Sequence, residues 1–126
     1  MKNGVRVYVT VVVAMVFGIV LAGKSFANDA AKVDASAEAV QSVTVTLKNH
    51  VFEPSAIEVP ADKKIALVVT NSDATPEEFE SHDLHREKVI AAGATATINV
   101  GRLKPGIYKF AGEYNEKTAH GTITVK

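Results

Sequence analysis

The stretch Ile65-Ala66-Leu67-Val68-Val69-Thr70, followed by Asn71-Ser72-Asp73, decides the fold class of this chain. Its apolar side chains follow one another almost without interruption, and turn-forming residues end the run. A short apolar run with such a boundary is typical of a central strand in a β-sandwich. The residues on either side are therefore expected to form the other strands of two packed sheets.

Further strands are predicted before and after this run. Residues 43–48 and 94–100 alternate apolar and polar side chains, as half-buried strands do. The segment 52–62 contains two prolines, which exclude a central strand and place it at a sheet edge. After a Pro-Gly turn signal come a strand with Tyr108 and Phe110 on its core face and a last strand at 121–125. Short strands at close spacing, without a strongly amphipathic helix, predict an all-β sandwich in a single domain.

The amino terminus has the pattern of a secretory signal peptide. Lys2 and Arg6 precede an apolar run at 7–21, and small residues follow up to Ala27. This order predicts a cleaved leader at 1–27, an alanine-rich spacer at 28–41 and a domain at 42–126. The alternative is an uncleaved anchor, although the run is short against the roughly 20 residues that a spanning helix needs.

Composition restricts the function of the exported part. Removing the leader's Lys2, Arg6 and Lys24 from the 14 basic residues leaves 11 against 14 acidic residues, a net charge of −3. This balance offers no basic surface for nucleic acid. The chain has no cysteine, and its two methionines, Met1 and Met15, both lie in the leader. Imidazole, carboxylate, hydroxyl and amide are then the only side chains left to bind a metal.

Acidic residues and histidines are concentrated in the stretch from Thr75 to Glu87. Four acids lie between Glu77 and Asp83, and two of the four histidines of the chain, His82 and His85, lie in the same stretch. Carboxylates and imidazoles at this density predict a metal site, and the alternative is a solvated loop whose charges face water. If the segment is extended, Glu78 and Glu80 share one face, while Glu77 and Phe79 share the other.

Four short motifs follow one another along the predicted domain. They are Phe52-x-Pro54-x-x-Ile57-x-Val59-Pro60-Ala61, Asn71-x-Asp73, Leu103-x-Pro105-Gly106-x-Tyr108-x-Phe110 and Gly121-x-Ile123-x-Val125. Their order and spacing resemble the cupredoxin family. The resemblance implies a Greek-key β-sandwich with copper bound at one end by histidines, a cysteine and a methionine. Position by position, these ligands fall on Glu77, Gly112, Asn115 and a residue near Ala119. Without a thiolate, a type 1 copper centre is excluded.

The departures from that pattern resemble a narrower group, the cysteine-free periplasmic cupredoxin-like proteins of bacterial ferrous-iron uptake. They are found at residues 77–81, 86–90 and 112–119. This resemblance implies a periplasmic protein that acts with a periplasmic metal-binding partner and an inner-membrane iron permease. The group often carries histidine where this chain has Asn115, and whether His120 substitutes for it is left open.

The predicted ligands form a mixed carboxylate–imidazole set. Such a set suits a divalent ion, with copper(II) or iron favoured, and disfavours Cu(I). The alternatives are ion pairing with Arg86 or Lys88, a solvated strand face, or hydrogen bonding within the hairpin. His50, beside Phe52, is expected to be structural or exposed. The predicted ligands are Glu77, Glu78, Glu80, His82, His85, Glu113 and His120.

Two functions follow from these observations. The first is a metal-binding accessory or redox component of ferrous-iron transport, within which a ferroxidase-type role alongside partners stays open. The second is a metal-free interaction module that docks to a periplasmic or membrane partner. An independent enzyme is disfavoured, because no serine has an evident base and orienting acid, and no catalytic residue is assigned.

Overall fold

The alternating and continuous apolar runs form nine strands in the part of the chain that the structure describes. The computed structural model describes residues 38–126, so the predicted leader and most of the predicted spacer lie outside the described residues. The strands are β1 (Val40–Lys48), β2 (Val51–Glu53), β3 (Ala56–Val59), β4 (Lys64–Asn71), β5 (Glu77–Ser81), β6 (Arg86–Ile90), β7 (Thr95–Arg102), β8 (Gly106–Gly112) and β9 (His120–Val125).

Two mixed sheets pack face to face. One has the order β2-β1-β4-β7, and the other has the order β3-β9-β8-β5-β6. The apolar run at 65–70 lies in β4, between β1 and β7, which confirms it as a central strand. The proline-containing segment forms β2 and β3, each at the edge of a different sheet. The prediction of an all-β, cupredoxin-like sandwich is therefore confirmed.

The first strand begins earlier than the sequence pattern indicated. β1 starts at Val40, inside the predicted spacer, because it pairs in parallel with β4 from Val40 opposite Lys64 onward. Backbone pairing with an existing strand orders residues whose side chains bury little. Among residues 38–126, no helix has the length and apolar character needed to span a membrane.

Three phenylalanines join the two sheets in the core. Phe52 meets Phe110 edge to face, with ring centroids 5.2 Å apart, and Phe79 stacks on Phe110 at 5.3 Å. All three are almost fully buried. Burying a side chain of this size stabilises the fold by about 1.5–3 kcal/mol. Because Phe79 faces the core, its neighbours in β5 alternate around it, and this alternation fixes the direction of every acid in that strand.

Candidate functional site: a closed ligand end and an acidic groove

Buried polar side chains hold both ends of β5 in place. The side chain of Asn71 donates hydrogen bonds to Thr75 O (2.8 Å) and Ile90 O (3.1 Å) and fixes the entry to the strand. At the exit, the hydroxyl of Ser81 donates to Lys109 O and accepts from Leu84 N. Residues 77–81 therefore form a strand in which most side chains are buried, whereas the solvated-loop alternative placed the charges in water.

The four positions that the cupredoxin resemblance assigned to copper ligands lie together at one end of the sandwich. Glu77 is 2% exposed, and its Oε2 accepts a hydrogen bond of 2.6 Å from Asn115 Nδ2. Its Oε1 accepts from the backbone N–H groups of Tyr114 (2.9 Å) and Glu78 (3.1 Å). A Cβ built on Gly112 would lie 2.7 Å from Glu77 Cδ and 2.8 Å from Ala119 Cβ.

We call this end, formed by Glu77, Gly112, Asn115 and Ala119, the closed end. It does not fit the copper ion that the fold family implies. It offers one carboxylate and one amide, where type 1 copper requires a thiolate with imidazoles. The carboxylate oxygens are already engaged by three N–H donors, and the side chains of Glu77 and Ala119 occupy the space that a cysteine side chain at position 112 would need. A hydrogen-bonded carboxylate–amide pair therefore links β5 to the loop between β8 and β9.

Carboxylates crowd the outer face of the five-stranded sheet beside this end. Glu78 faces outward, yet it is only 9% exposed. A hydrogen bond with the Glu78 side chain, followed by its charge, raises the pKa of Glu87 above its usual value. The same hydrogen bond, followed by the charge of Glu80, raises the pKa of Glu113. Partial desolvation, and then the charge of Glu78, raise the pKa of Tyr114.

A groove runs across the same outer face, further along β5. We define it by Glu80 and His82 on one side, His120 on the other, and Ala111 between them. The register places Glu80 opposite Ala111, and Ala111 opposite His120, so all three point to one face. His82 Nε2 lies 3.3 Å from Glu80 Oε1, and the His82 side chain is 91% exposed. The groove has a volume of about 650 Å³.

The remaining histidines lie outside the groove. His85 adopts a left-handed backbone conformation (φ 53°) in the β5–β6 loop and lines a smaller cavity of about 160 Å³ with His82, Arg86 and Glu87. His50 lies in the β1–β2 turn, with Nδ1 3.5 Å from Asp73 Oδ2, where a structural role was expected.

The structure thus divides the seven predicted ligands among four places. Glu77 lies in the closed end, and His85 lies in the β5–β6 loop. Glu78 and Glu113 belong to the carboxylates on the outer face of the five-stranded sheet. Glu80, His82 and His120 line the groove. Within residues 38–126, no three side chains of the His, Cys, Asp and Glu types are arranged to hold a metal ion as they stand.

Several residues of this surface were not predicted. Glu87 faces Glu80 directly across the β5–β6 hairpin, a pairing that follows once the hairpin register is known. Glu116 and Lys109 also line the groove. The short loop at residues 82–85 predicts a hairpin, and the hairpin places Glu87 opposite Glu80. The positions of Lys109 and Glu116 depend instead on how β8 and β9 lie in the sheet.

The two mixed sheets and the position of the closed end define a cupredoxin-like β-sandwich that has neither thiolate nor imidazole at the usual ligand positions. The family model for the cupredoxin-like domain matches residues 11–125, and the chain belongs to this family. The uncharacterized protein RP394 of Rickettsia prowazekii (strain Madrid E) is 44% identical over 92 residues, which cover 73% of this chain and 74% of that protein.

Solved structures share the fold at low sequence identity. The metal-binding domain of the Streptococcus pneumoniae D39 Cu(I)-exporting P-type ATPase CopA, with Cu(I), has a TM-score of 0.62 and 13% identity, over 69% of this chain and 86% of that one. A purple cupredoxin from Nitrosopumilus maritimus has a TM-score of 0.52 and 17% identity, over 66% and 98%. These similarities establish the fold and leave the ligand chemistry to the residues of this chain.

Proposed function

We propose that this protein is an exported metal-binding accessory component of ferrous-iron uptake, and that it binds the metal in the groove instead of at the closed end. The observation that carries the proposal is the placement of Glu80, His82 and His120 around one groove. These are two imidazoles and one carboxylate. Glu80 and His82 lie two residues apart, and β8 brings His120 of β9 to the same face.

This donor set matches the chemistry of ferrous iron. Two histidines and one carboxylate on one face of an ion, with other positions open, are a known arrangement for non-haem Fe(II), and they also suit Cu(II) and Zn(II). Cu(I) prefers sulfur ligands, which residues 28–126 lack. The proposed site is therefore one for a borderline divalent ion.

Binding requires side-chain movement. Glu80 and His120 lie on strands separated by β8, so their backbones are about 10 Å apart at the usual strand spacing. Metal–ligand bonds of about 2 Å to each side, together with the lengths of the two side chains, can span this gap. His82 is exposed and free to rotate toward the same point. The exposed imidazoles supply this freedom, and the small Ala111 leaves the path between them open.

The biological setting rests on the resemblance and on the leader. We place the protein in the periplasm, with a periplasmic metal-binding protein and an inner-membrane iron permease as its partners. The role is delivery or holding of the ion, and any ferroxidase-type chemistry would depend on an electron acceptor among those partners. No residue of this chain is assigned a catalytic role.

The test is calorimetric titration of the purified protein with Fe(II) under anaerobic conditions, and with Cu(II), Zn(II) and Mn(II). The Glu80→Gln/His82→Gln/His120→Gln variant should bind at least tenfold more weakly, while the matched Glu113→Gln/His50→Gln/His85→Gln variant should bind like the unmodified protein. Binding should also weaken as pH falls, because a protonated imidazole cannot coordinate. Equal binding by the two variants would refute the groove as the site.

The second candidate function is a metal-free interaction module. The closed end favours it, because the Glu77–Asn115 pair already links the loop to β5 without an ion. This function predicts no heat on titration with any of the four metals and no change of melting temperature with a chelator. The same experiment therefore separates the two candidates.

A further inference from the structure

The groove is much larger than a metal ion requires. A water molecule takes up about 30 Å³ in the liquid, so a cavity of about 650 Å³ exceeds the space of an aquated ion several times over. Sites for small organic molecules typically measure roughly 300–1,000 Å³. The groove falls within that range, and its volume therefore needs an explanation beyond the three metal-binding side chains.

Small residues account for this space. They form the base of the groove and let an organic skeleton contact the sheet, as apolar linings do in small-molecule sites. Lys109 and Thr122 also line the groove, and an ammonium group and a hydroxyl can each donate to a carboxylate oxygen. The small residues are Ser55, Ala56, Ala111, Gly121 and Thr122.

The charges of the lining restrict the ligand further. Glu80, Asp83 and Glu116 are acidic, and Lys109 is the one basic residue among those that line the groove. The acids disfavour a ligand of net negative charge, and they leave room for one carboxylate group near Lys109. A neutral or positively charged metal complex fits this pattern.

We infer that the groove binds the metal ion together with a small amino-carboxylate chelator, as a neutral or cationic complex. This inference rests on the proposed function. Glu80, His82 and His120 take one side of the coordination sphere, and the chelator takes the other. The chelator lies over Ala111, with a carboxylate toward Lys109.

The probes for the test are aquated Ni(II), the neutral Ni(II)–iminodiacetate complex, the anionic Ni(II)–nitrilotriacetate complex and free iminodiacetate. Each is titrated into the untagged protein by calorimetry. Ala111→Phe fills the groove, and an aromatic residue suits an outward strand position. Ile107→Phe, on the outward face of the same strand but outside the groove, is the matched control. Ala56→Phe, on edge strand β3, is a second groove-filling variant in case Ala111→Phe does not fold.

We expect the neutral complex to bind at least tenfold more tightly than the anionic one. A groove-filling variant should lower the ratio of complex affinity to aquated-ion affinity at least tenfold, and Ile107→Phe should leave it unchanged. If aquated Ni(II) binds through the three ligands but the complex does not, or if the ratio is unaffected, this inference fails while the proposed function stands. Equal binding of free iminodiacetate also overturns it. If neither aquated Ni(II) nor the neutral complex binds, the proposed function fails with it.

Discussion

The carboxylate–amide pair at the closed end makes a strong prediction about position 115. Asn115→Asp replaces the amide that donates to buried Glu77 over 2.6 Å with a second carboxylate. Two like charges about 4 Å apart repel by about 4 kcal/mol at an effective dielectric of 20. Losing a hydrogen bond to a charged group costs about 1.5–3 kcal/mol more. One of the two carboxyls can take up a proton, which removes the repulsion and so limits the combined loss from repulsion and the missing hydrogen bond. We therefore expect the free energy of unfolding at pH 7 to fall by about 3–5 kcal/mol.

The proton taken up by the two carboxyls of Asn115→Asp determines how the stability of this variant changes with pH. A carboxyl whose pKa is raised in the folded state weakens the fold as pH rises through that pKa. The loss should therefore shrink below about 2 kcal/mol near pH 4.5, where one shared proton restores a hydrogen bond. Adding Glu77→Gln should recover most of the loss at pH 7, because the new amide can donate to the carboxylate at position 115. The coupling energy between the two changes should reach about 2–3 kcal/mol.

The assay is urea-induced unfolding followed by circular dichroism at both pH values. Asn99→Asp, which adds the same charge at an exposed strand position, serves as the control and should change stability by less than about 0.5 kcal/mol. A loss below about 1 kcal/mol at pH 7 for Asn115→Asp, or simple addition of the two effects in the double variant, would contradict the proposed pairing.

Further predictions concern the β1–β2 turn, the carboxylates of the outer face and Gly112. Asp73→Ala should lower the free energy of unfolding by about 1–3 kcal/mol, because the carboxylate accepts both N–H groups of the β1–β2 turn. Those bonds lower the pKa of Asp73, so this contribution should fade as pH falls through that pKa in urea titrations. Glu78→Gln should raise the melting temperature at pH 7 but not at pH 3. Glu78 raises the pKa values of Glu87 and Glu113, so the ionisation of these two groups weakens the fold at pH 7. An equal rise of the melting temperature at both pH values would contradict this. Gly112→Ala should cost about 1–3 kcal/mol from overpacking against the buried carboxylate, and Gly112→Cys should give no type 1 copper absorption with Cu(II).

The closed end has a consequence for the family to which the chain belongs. In this protein the link between β5 and the β8–β9 loop is made by hydrogen bonds of Glu77. The loop is therefore held without an ion, and metal binding can be located elsewhere on the same sandwich. Under the proposed function, the metal binds on the acidic outer face, whose strands present alternate residues to solvent.

The amino-acid sequence by itself determined the fold. The apolar run at 65–70, the alternation in the flanking segments and the two prolines of the edge segment indicate strand type and position through local periodicity. Phe79 and its neighbours show the same principle, since one core residue sets the direction of the adjacent acids. The absence of cysteine also excluded a type 1 copper centre without any structure.

Only the tertiary structure decided which polar residues meet. Glu80 and His120 are 40 positions apart, and β8 brings them to one face through a register that neither segment encodes alone. The engagement of Glu77 by Asn115 and Tyr114 likewise depends on the loop between β8 and β9 folding back over β5. Periodicity is a local property of the chain, whereas a binding site is a set of distances between segments, and those distances exist only once the sheets have formed.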